Sequence, residues 1–199
     1  MSTPKRAPHQ PAGGSATLAD LEELPVEVVG EIIGGVLYAM PRPRPAHQRT
    51  TTLIGGHLAD RYDLGGGGGP GGWWILVDPL IALPGAPRVV PDLAGWRRER
   101  MPELPDGTIT VVPDWACEIL SPSTEVHDLE TKAPHYCKVG VQFLWIVDVD
   151  ARTVSAYKRQ AGNWHPSGVY STEPDARIAP FEAVPLNVAS WWPPVHGNK

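Results

Sequence analysis

Two short stretches decide the fold of this chain: VVPD at residues 89–92 and CEILSPST at residues 117–124. In each, an acidic residue closes a short apolar, β-rich run, Asp92 in the first and Glu118 in the second. Such runs predict short buried strands. We interpret the two acids as side chains that neighbouring strands deliver to one cleft, and we expect their carboxylates to lie close together.

The segment after the second stretch predicts a helix over residues 125–138, with Ser123 or Thr124 as its N-cap. Pro134 is expected to kink or break this helix, because proline has no N–H and its ring clashes with the preceding turn. Lys132 lies on the helix, and we expect its ammonium to reach over the strand ends.

The rest of the chain alternates between strand-like and helix-like patterns. Two glycines divide residues 31–38 into two strand-like halves, which predicts a β-ribbon near the N-terminus. Residues 47–62 carry apolar side chains at helical spacing. The other strand-like segments are residues 73–83, 89–93, 115–120, 143–149 and 153–159. This order predicts an α/β fold, with a mixed β-sheet flanked by α-helices and an N-terminal β-ribbon.

The chain has 199 residues, a net charge of -5 and two cysteines. We predict a disordered tail at residues 1–17 and a single domain at residues 18–195. No apolar stretch reaches ~18 residues and the N-terminus has no apolar signal region, so we expect no membrane contact. Two cysteines without a metal or disulfide pattern fit a reducing cytoplasm. The acidic balance argues against a general DNA-coating protein, but it is compatible with an enzyme that has a local basic groove.

Asp92, Glu118 and Lys132 together suit phosphodiester hydrolysis, which needs an activated water and neutralisation of charge in the transition state. Mg²⁺ prefers oxygen ligands and keeps several waters, so a few protein oxygens can hold it, and Mn²⁺ accepts the same ligands. We therefore predict a Mg²⁺ site formed by Asp92, Glu118 and the main-chain carbonyl of Ile119. Lys132 is predicted to place or deprotonate the attacking water, or to stabilise the developing negative charge.

At these residues the chain resembles the PD-(D/E)XK nuclease superfamily and, within it, a bacterial family of restriction-endonuclease-like proteins. The resemblance extends over residues 31–159 and depends on several motifs in one order. They are EIIGGVLYAMP at residues 31–41, His47, VPD at residues 90–92, PDWACEILSPST at residues 113–124, Lys132, Tyr136, GV at residues 140–141 and WIVD at residues 145–148. The resemblance implies a restriction-endonuclease-like core, Mg²⁺-dependent cleavage of DNA, frequent homodimers, and a metal site that Glu31 joins.

Two positions depart from that family pattern. The superfamily places a lysine two residues after the second acid, where this chain has Leu120. The resemblance implies that Lys132, on the helix, supplies the ammonium instead. The acidic–aromatic pair that usually precedes Trp145 is replaced by Phe143 and Leu144, which makes the local surface more apolar.

Simpler roles are open for the same residues. Asp92 follows a proline and can cap a turn, and Glu118 can form a buried ion pair with Lys132 that needs no metal. Glu31 can pair with a nearby arginine. The alternative function is therefore a catalytically inactive, dimeric binding or interaction module on a nuclease scaffold. A hydrolase of another phosphate ester also fits these residues.

Positively charged side chains are the candidates for nucleic-acid contact. Arg42 and Arg44 follow the ribbon, and Arg97 and Arg98 belong to an arginine-rich cluster; both groups are suited to phosphate oxygens. His47 is a further candidate at the start of the predicted helix. By default, we expect its side chain to be exposed there. The pattern does not indicate which DNA sequence or structure is recognised.

Overall fold

The computed structural model describes residues 15–194. Residues 1–14, most of the predicted tail, lie outside the described residues, as does residue 195 at the end of the predicted domain. The last residues of the predicted tail are packed. The Ala16 N–H donates to the Gly35 carbonyl at 2.8 Å, and the Ala16 side chain is buried. Ordered structure therefore begins before residue 18, because the backbone there pairs with the turn of the ribbon.

The helices are short and two of them continue through a single wider turn. They are α1 (Leu18–Glu22), α2 (Pro45–Leu58), α3 (Glu125–His127) and α4 (Ala133–Val139). A π-helical turn at Ala59–Asp63 extends α2, and a second at Asp128–Lys132 joins α3 to α4. Single 3-10 turns lie at Gly66–Gly68 and Val188–Trp191. None of the helices in residues 15–194 is long and apolar enough to cross a membrane.

The strands form one large sheet and two smaller ones. They are β1 (Val28–Ile33), β2 (Val36–Pro41), β3 (Trp73–Val77), β4 (Ile81–Leu83), β5 (Ala86–Val89), β6 (Leu93–Arg97), β7 (Trp115–Leu120), β8 (Phe143–Asp148), β9 (Thr153–Gln160), β10 (Asn163–Tyr170), β11 (Ala176–Ile178) and β12 (Phe181–Leu186). The six-stranded sheet has the order β10-β9-β8-β7-β6-β3, and the four-stranded sheet has the order β2-β1-β5-β4. β11 and β12 form a separate pair.

The large sheet is mixed, as predicted. β7 and β8 run parallel, whereas the other neighbouring strands in this sheet run antiparallel. The predicted N-terminal ribbon is also confirmed: β1 and β2 are antiparallel and joined by Gly34 and Gly35 at φ 61° and 78°. Positive φ at both positions is the geometry of a tight hairpin turn, which glycine adopts without strain.

Two predicted strands are instead divided between the sheets. Residues 73–83 separate at Asp78 and Pro79, so that β3 joins the large sheet and β4 the smaller one. Residues 89–93 separate around Pro91, where the chain crosses from β5 to β6. Each prediction of one continuous strand was wrong for the same reason, since proline cannot donate to a strand ladder.

The passage of the chain from β5 to β6 changes how Asp92 reaches the cleft. Asp92 precedes β6 and does not close a strand. β6 and β7 are antiparallel, and Leu93 pairs with Cys117. The beginning of β6 therefore lies beside the end of β7, which brings Asp92 opposite Glu118, as the sequence predicted for a different reason.

One face of the large sheet is covered by α2 and by the C-terminal strands. The core on this face includes Ile54, Leu58, Tyr62, Trp115, Cys117, Ile119, Trp145, Phe181 and Trp191. The rings of Trp115 and Trp145 meet edge to face with their centroids 5.1 Å apart, and the ring centroid of Phe181 lies 5.0 Å from that of Trp115. Because side chains alternate along a strand, Glu118 points to the opposite face.

The opposite face is covered by α4 and the four-stranded sheet. Its core includes Ile33, Ile81, Leu83, Ala86, Val89, Ala94, Trp96, Ala116, Ala133, Tyr136, Val141, Leu144 and Ile146. Pro134 does not break the preceding helix. The chain accommodates it with the π-helical turn, in which the Ala133 N–H donates to the Asp128 carbonyl. Gly140, at φ 102°, then ends α4.

Candidate active site

A cavity of about 550 Å³ opens where the six-stranded sheet, the four-stranded sheet, α2 and the α3–α4 segment meet. Its walls carry the carboxylates of Glu31, Asp78, Asp92, Glu118 and Asp128. The positively charged or basic side chains that line it are Arg42, His47 and Lys132. The carboxylates come from β1, the β3–β4 turn, the β5–β6 crossing, β7 and the π-helical turn, so the site exists only when all these elements are in place.

Glu118 lies at the base of the cavity and is fully buried on β7. Its Oε2 accepts a hydrogen bond from Lys132 Nζ at 2.7 Å, and its Oε1 accepts one from the Tyr136 hydroxyl at 2.6 Å. Lys132 and Tyr136 are four residues apart on neighbouring turns of one helix, so they present both donors to the same strand. The carboxylate is thereby held in one orientation.

Lys132 is surrounded by oxygen atoms. Its Nζ donates to the Val90 carbonyl at 2.9 Å and to Glu118 Oε2 at 2.7 Å, and it lies 3.5 Å from Glu31 Oε1. Burial favours a neutral amine, but the charges of Glu118 and Glu31 outweigh burial and raise the pKa of Lys132 well above its ordinary value. A lysine ammonium has three protons and no acceptor, so this group holds the carboxylates and does not accept a proton from water.

Glu31 is also fully buried and has two strong donors. Its Oε1 accepts the Val90 N–H at 2.6 Å, and its Oε2 lies 2.6 Å from His127 Nε2. Burial raises the pKa of Glu31, yet Lys132 and His127 outweigh this effect and keep the pKa below its ordinary value. Glu31 is therefore ionised at neutral pH, and its partners are a lysine and a histidine where the sequence suggested an arginine.

Asp92 is held from two directions. Its Oδ2 accepts the Ile119 N–H at 2.6 Å, and its Oδ1 lies 3.1 Å from His47 Nε2. The N–H and C=O of one strand residue point to the same side of the strand. The Ile119 carbonyl therefore faces the same edge as Asp92, which is the arrangement that the predicted metal site requires.

His47 is buried, which corrects the default of an exposed residue. The Thr51 hydroxyl donates to the His47 carbonyl at 2.9 Å, so its oxygen is left to accept from His47 Nδ1, 3.3 Å away. An ionised Asp92 can only accept, so Nε2 is the ring nitrogen suited to donate to it. Burial lowers the pKa of His47, but the hydrogen bond and charge of Asp92 outweigh it, and the net shift is upward.

Two further carboxylates in the cavity were not among the predicted site residues. Asp78 stands at φ 47°, a left-handed conformation that is costly for a non-glycine residue, and burial together with the charge of Asp92 raises its pKa. Asp128 is 3% exposed, and burial raises its pKa to about 6 although Lys132 opposes the shift. Backbone strain and a raised pKa are both common at functional sites.

The donor set of the cavity suits a hard divalent cation. Carboxylates outnumber cations in a buried space, and a bound cation would relieve their repulsion. In residues 15–194, no group of three or more His, Cys, Asp or Glu side chains is arranged around a single metal position. Mg²⁺ does not require such a group, because it keeps several waters and binds through one or two carboxylates. Asp92, Glu118 and the Ile119 carbonyl are all oxygen donors, and this set therefore fits Mg²⁺ or Mn²⁺.

The arginines predicted to contact nucleic acid lie in two places. Arg42 lines the mouth of the cavity, and Arg44 is exposed at the start of α2. Arg97 ends β6, roughly 16 Å from Asp92 at about 3.3 Å per residue, and Arg98 follows it. There Arg98 pairs with Asp63 and lies over the Trp74 ring, and the Arg97 guanidinium lies 5.2 Å from the Trp73 ring. Of this set, Arg42 and His47 adjoin the site.

The fold agrees with the comparisons to known proteins. A family model named Uma2 and described as "Putative restriction endonuclease" matches residues 18–189. The chain belongs to this family. Membership of the Uma2 family supports a nuclease function.

The fold of this Uma2-family chain is shared by solved structures. One of them is a crystal structure described as a "putative nuclease belonging to DUF820" from Anabaena variabilis ATCC 29413. The two structures align with a TM-score of 0.69 at 24% sequence identity, over 88% of this chain and 98% of that chain. The expected restriction-endonuclease-like fold is thus confirmed. No curated protein matches the sequence.

Sequence reasoning found the acids of this Uma2-family site more readily than their partners. His127 was missed because nothing in the pattern of its helix distinguishes it, and its contact with Glu31 spans two distant segments. Tyr136 entered only through the family resemblance. Asp128 had one available signal, its i, i+4 spacing to Lys132, which places both on one helix face.

Proposed function

We propose that the protein is a Mg²⁺-dependent endonuclease of the PD-(D/E)XK type that hydrolyses phosphodiester bonds in DNA, with Mn²⁺ as a substitute metal. The observation that carries this proposal is the placement of Asp92 opposite Glu118 across β6 and β7, with the Lys132 ammonium 2.7 Å from Glu118. Two fixed carboxylates and one buried cation at the base of a cavity are the components that metal-assisted phosphodiester hydrolysis needs.

In this proposal each residue of the site has a distinct role. Asp92, Glu118 and the Ile119 carbonyl hold the metal, which when bound supplies a Lewis acid for the phosphate and lowers the pKa of water. Lys132 keeps Glu118 and Glu31 together despite their like charges. Glu31 adds another carboxylate to the wall of the cavity, and its Oε1 lies 3.5 Å from the same Lys132 ammonium.

The substrate and the setting follow from the same proposal. DNA would reach the cavity past Arg42 and Arg44, with Arg97 and Arg98 available to more distant phosphates. The two cysteines are free and buried, which suits a reducing cytoplasm. We further propose a homodimer, which light scattering after gel filtration would test.

The test is cleavage of supercoiled plasmid with Mg²⁺ or Mn²⁺, comparing the wild type with Asp92→Asn and Glu118→Gln. Glu130→Gln is the matched control, because Glu130 is an exposed acid on the same helix segment as Lys132. We expect nicking or linearisation by the wild type and the control, abolished by EDTA and by either ligand substitution. Equal activity of wild type and Glu118→Gln would reject the proposed metal site. Complete inactivity of all forms on plasmid, linear and single-stranded DNA would favour the inactive scaffold.

A further inference from the structure

The proposed reaction needs a group that takes a proton from the attacking water, and most candidates in the cavity are already engaged. Lys132 is an ammonium directed at three oxygens. Both oxygens of Glu31 accept hydrogen bonds, and its lowered pKa makes it a weak base. Glu118 is assigned to the metal in the proposed function, and its oxygens face Lys132 and the Tyr136 hydroxyl at 2.6–2.7 Å. A general base must have a free lone pair and a pKa near the working pH.

Asp128 meets these conditions better than its neighbours. It lines the cavity, yet its side chain is nearly enclosed by protein. Its Oδ1 is 3.7 Å from Lys132 Nζ, which is an ion-pair distance and too long for a hydrogen bond. Thr124 supplies a side-chain hydrogen bond, so lone pairs of this carboxylate remain available to a water in the cavity.

The position of Asp128 also relates it to the proposed metal ligands. Glu118 Oε2 and Asp128 Oδ1 lie on either side of the same ammonium, at 2.7 and 3.7 Å from Lys132 Nζ. Asp128 therefore lines the same cavity as the proposed metal ligands, and a water in that cavity can contact it. The π-helical turn contributes to this placement, because it contains both Asp128 and Lys132.

We propose that Asp128 is the general base of the phosphodiester hydrolysis, a role that rests on the function proposed above. Asp128 removes a proton from the attacking water as the water oxygen forms its bond to phosphorus. The bond between phosphorus and the leaving oxygen breaks, and the electron pair stays on that oxygen, which takes a proton from solvent water. Asp128 then returns its proton to solvent, so protons and charge balance over the cycle.

The charged groups around Asp128 set the pH range in which it can act as a base. Lys132 and His127 lie on its own helical segment, Asp92 on the β5–β6 crossing, Glu118 on β7 and His47 on α2. Burial and Asp92 raise the pKa of Asp128 to about 6, whereas Lys132, Thr124 and His127 oppose the rise. The base form therefore dominates at neutral pH while keeping a useful affinity for a proton.

The decisive experiment is the pH dependence of plasmid cleavage by wild type, Asp128→Asn and Glu130→Gln. We expect the wild-type and Glu130→Gln rates to rise with pH up to a plateau. Asp128→Asn should be slower by about 10²–10⁴-fold at the plateau, the usual contribution of a general base, and should lack the acidic limb. Added formate should restore part of the activity of Asp128→Ala, because it replaces the missing carboxylate.

Two measurements that do not involve DNA cleavage test whether Asp128→Asn affects folding or metal binding instead of catalysis. Asp128→Asn should melt no lower than wild type at pH 7.5, because an amide costs less to bury than a carboxylate. Its Mn²⁺ affinity, measured by calorimetry, should fall by less than about tenfold, the effect of one neighbouring charge. Glu118→Gln, which loses a ligand, should bind Mn²⁺ far more weakly.

Each result that contradicts the proposed role of Asp128 has a single interpretation. If wild type cleaves DNA and Asp128→Asn cleaves within threefold of it with the acidic limb intact, Asp128 is not the base, although the nuclease function stands. If the limb disappears in Asp78→Asn and persists in Asp128→Asn, the base is Asp78, and the proposal is overturned in its favour. If the wild type cleaves no DNA, the proposed function fails first.

Discussion

At the scale of single residues, Lys132 is the point at which the charges of the site converge. One ammonium contacts Val90, Glu118 and Glu31 at 2.7–3.5 Å, with Asp128 slightly farther away. Taking ions out of water is costly, and the cost is recovered only when each charge has close partners. Removing Lys132 would leave buried carboxylates facing each other.

We predict that Lys132→Met lowers the free energy of unfolding of the metal-free protein by about 3–5 kcal/mol, the usual cost of removing one partner of a buried ion pair. Urea denaturation followed by tryptophan fluorescence measures the change. Lys138→Met is the control, because Lys138 is exposed on α4, and it should alter stability by less than about 0.5 kcal/mol. Equal effects of the two substitutions would show that the pair contributes little.

Asp128 gives the site a dependence of stability on pH. Its pKa of about 6 in the folded protein exceeds the ordinary value of 3.8, so the folded state binds a proton more readily than the unfolded chain. This contribution is fully present below about pH 4 and is lost as the pH rises through 6. We predict that it amounts to roughly 1.4 kcal/mol between pH 7.5 and pH 5.

The comparison that isolates this contribution is urea denaturation of wild type and Asp128→Asn, both metal-free, at pH 5 and pH 7.5. On going from pH 7.5 to pH 5, wild type should gain roughly 1.4 kcal/mol relative to the variant. Titrating groups remote from Asp128 affect both proteins equally and cancel, whereas the pKa of His47, which the charge of Asp128 helps to raise, is lower in the variant. Parallel pH curves for the two proteins would contradict the raised pKa of Asp128.

At the scale of elements, α2 is close enough to the large sheet to place His47 beside Asp92. The close approach occurs at Gly55, where a Cβ would lie 3.1 Å from the Leu93 side chain and 3.2 Å from that of Val77. Leu93 directly follows Asp92 in the chain. The small residue in the helix therefore sets the distance between His47 and the carboxylate that it contacts.

We predict that Gly55→Leu destabilises the protein by about 1–3 kcal/mol, because the larger side chain must displace α2 or the strands. Gly56→Leu is the matched control one residue later, where an added Cβ meets nothing within 4 Å, and it should stabilise the helix by about 0.5–1 kcal/mol. Thermal unfolding monitored by circular dichroism distinguishes the two. A stabilising Gly55→Leu would show that the helix is not tightly packed there.

The elements that sequence patterns predicted well are those with a regular period. The ribbon, α2, β7 to β9 and the helical region that carries Lys132 have clear alternation, helical spacing or glycine turns. The division of residues 73–83 and 89–93 between two sheets was missed. The local sequence pattern indicates which residues are buried, but it does not indicate which sheet a strand joins. β10 to β12 were missed because prolines and glycines interrupt their pattern, as at Pro166 and the nearby bulge.

The same limit applies within the site. Asp92 and Glu118 could be recognised because a carboxylate in an apolar run needs a reason to be there. Their partners His47, Tyr136 and His127 carry no such mark, since their roles depend on contacts between segments far apart in the chain. The state of Lys132 as a saturated ammonium follows from three such contacts and has no local signature.

At the scale of the whole molecule, the cavity lies between the six-stranded sheet, the four-stranded sheet and the helical segment. A cation bound there would cross-link elements that otherwise repel each other through their carboxylates. Binding that occurs only in the folded state adds to stability in proportion to ligand concentration. The global stability of the protein should therefore report on the site.

We predict that Mg²⁺ or Mn²⁺ at ten times its dissociation constant stabilises the wild type by about 1.4 kcal/mol. For a chain of this size, this corresponds to a rise in Tm of roughly 3–6 °C. Differential scanning fluorimetry measures the rise, and EDTA should reverse it. Glu118→Gln should show almost none of it, and Glu130→Gln all of it. A rise of the same size in Glu118→Gln would place the metal elsewhere.

The hydrogen bonds that close the site join residues far apart in the chain: Glu31 and Val90 are separated by 59 positions, and Glu31 and His127 by 96. During synthesis, the first carboxylate leaves the ribosome long before the helix that must hold it. A partly made chain therefore lacks the assembled site, and so does any proteolytic fragment that ends before Lys132. Assembly of the site therefore waits until the helix that carries Lys132 has left the ribosome.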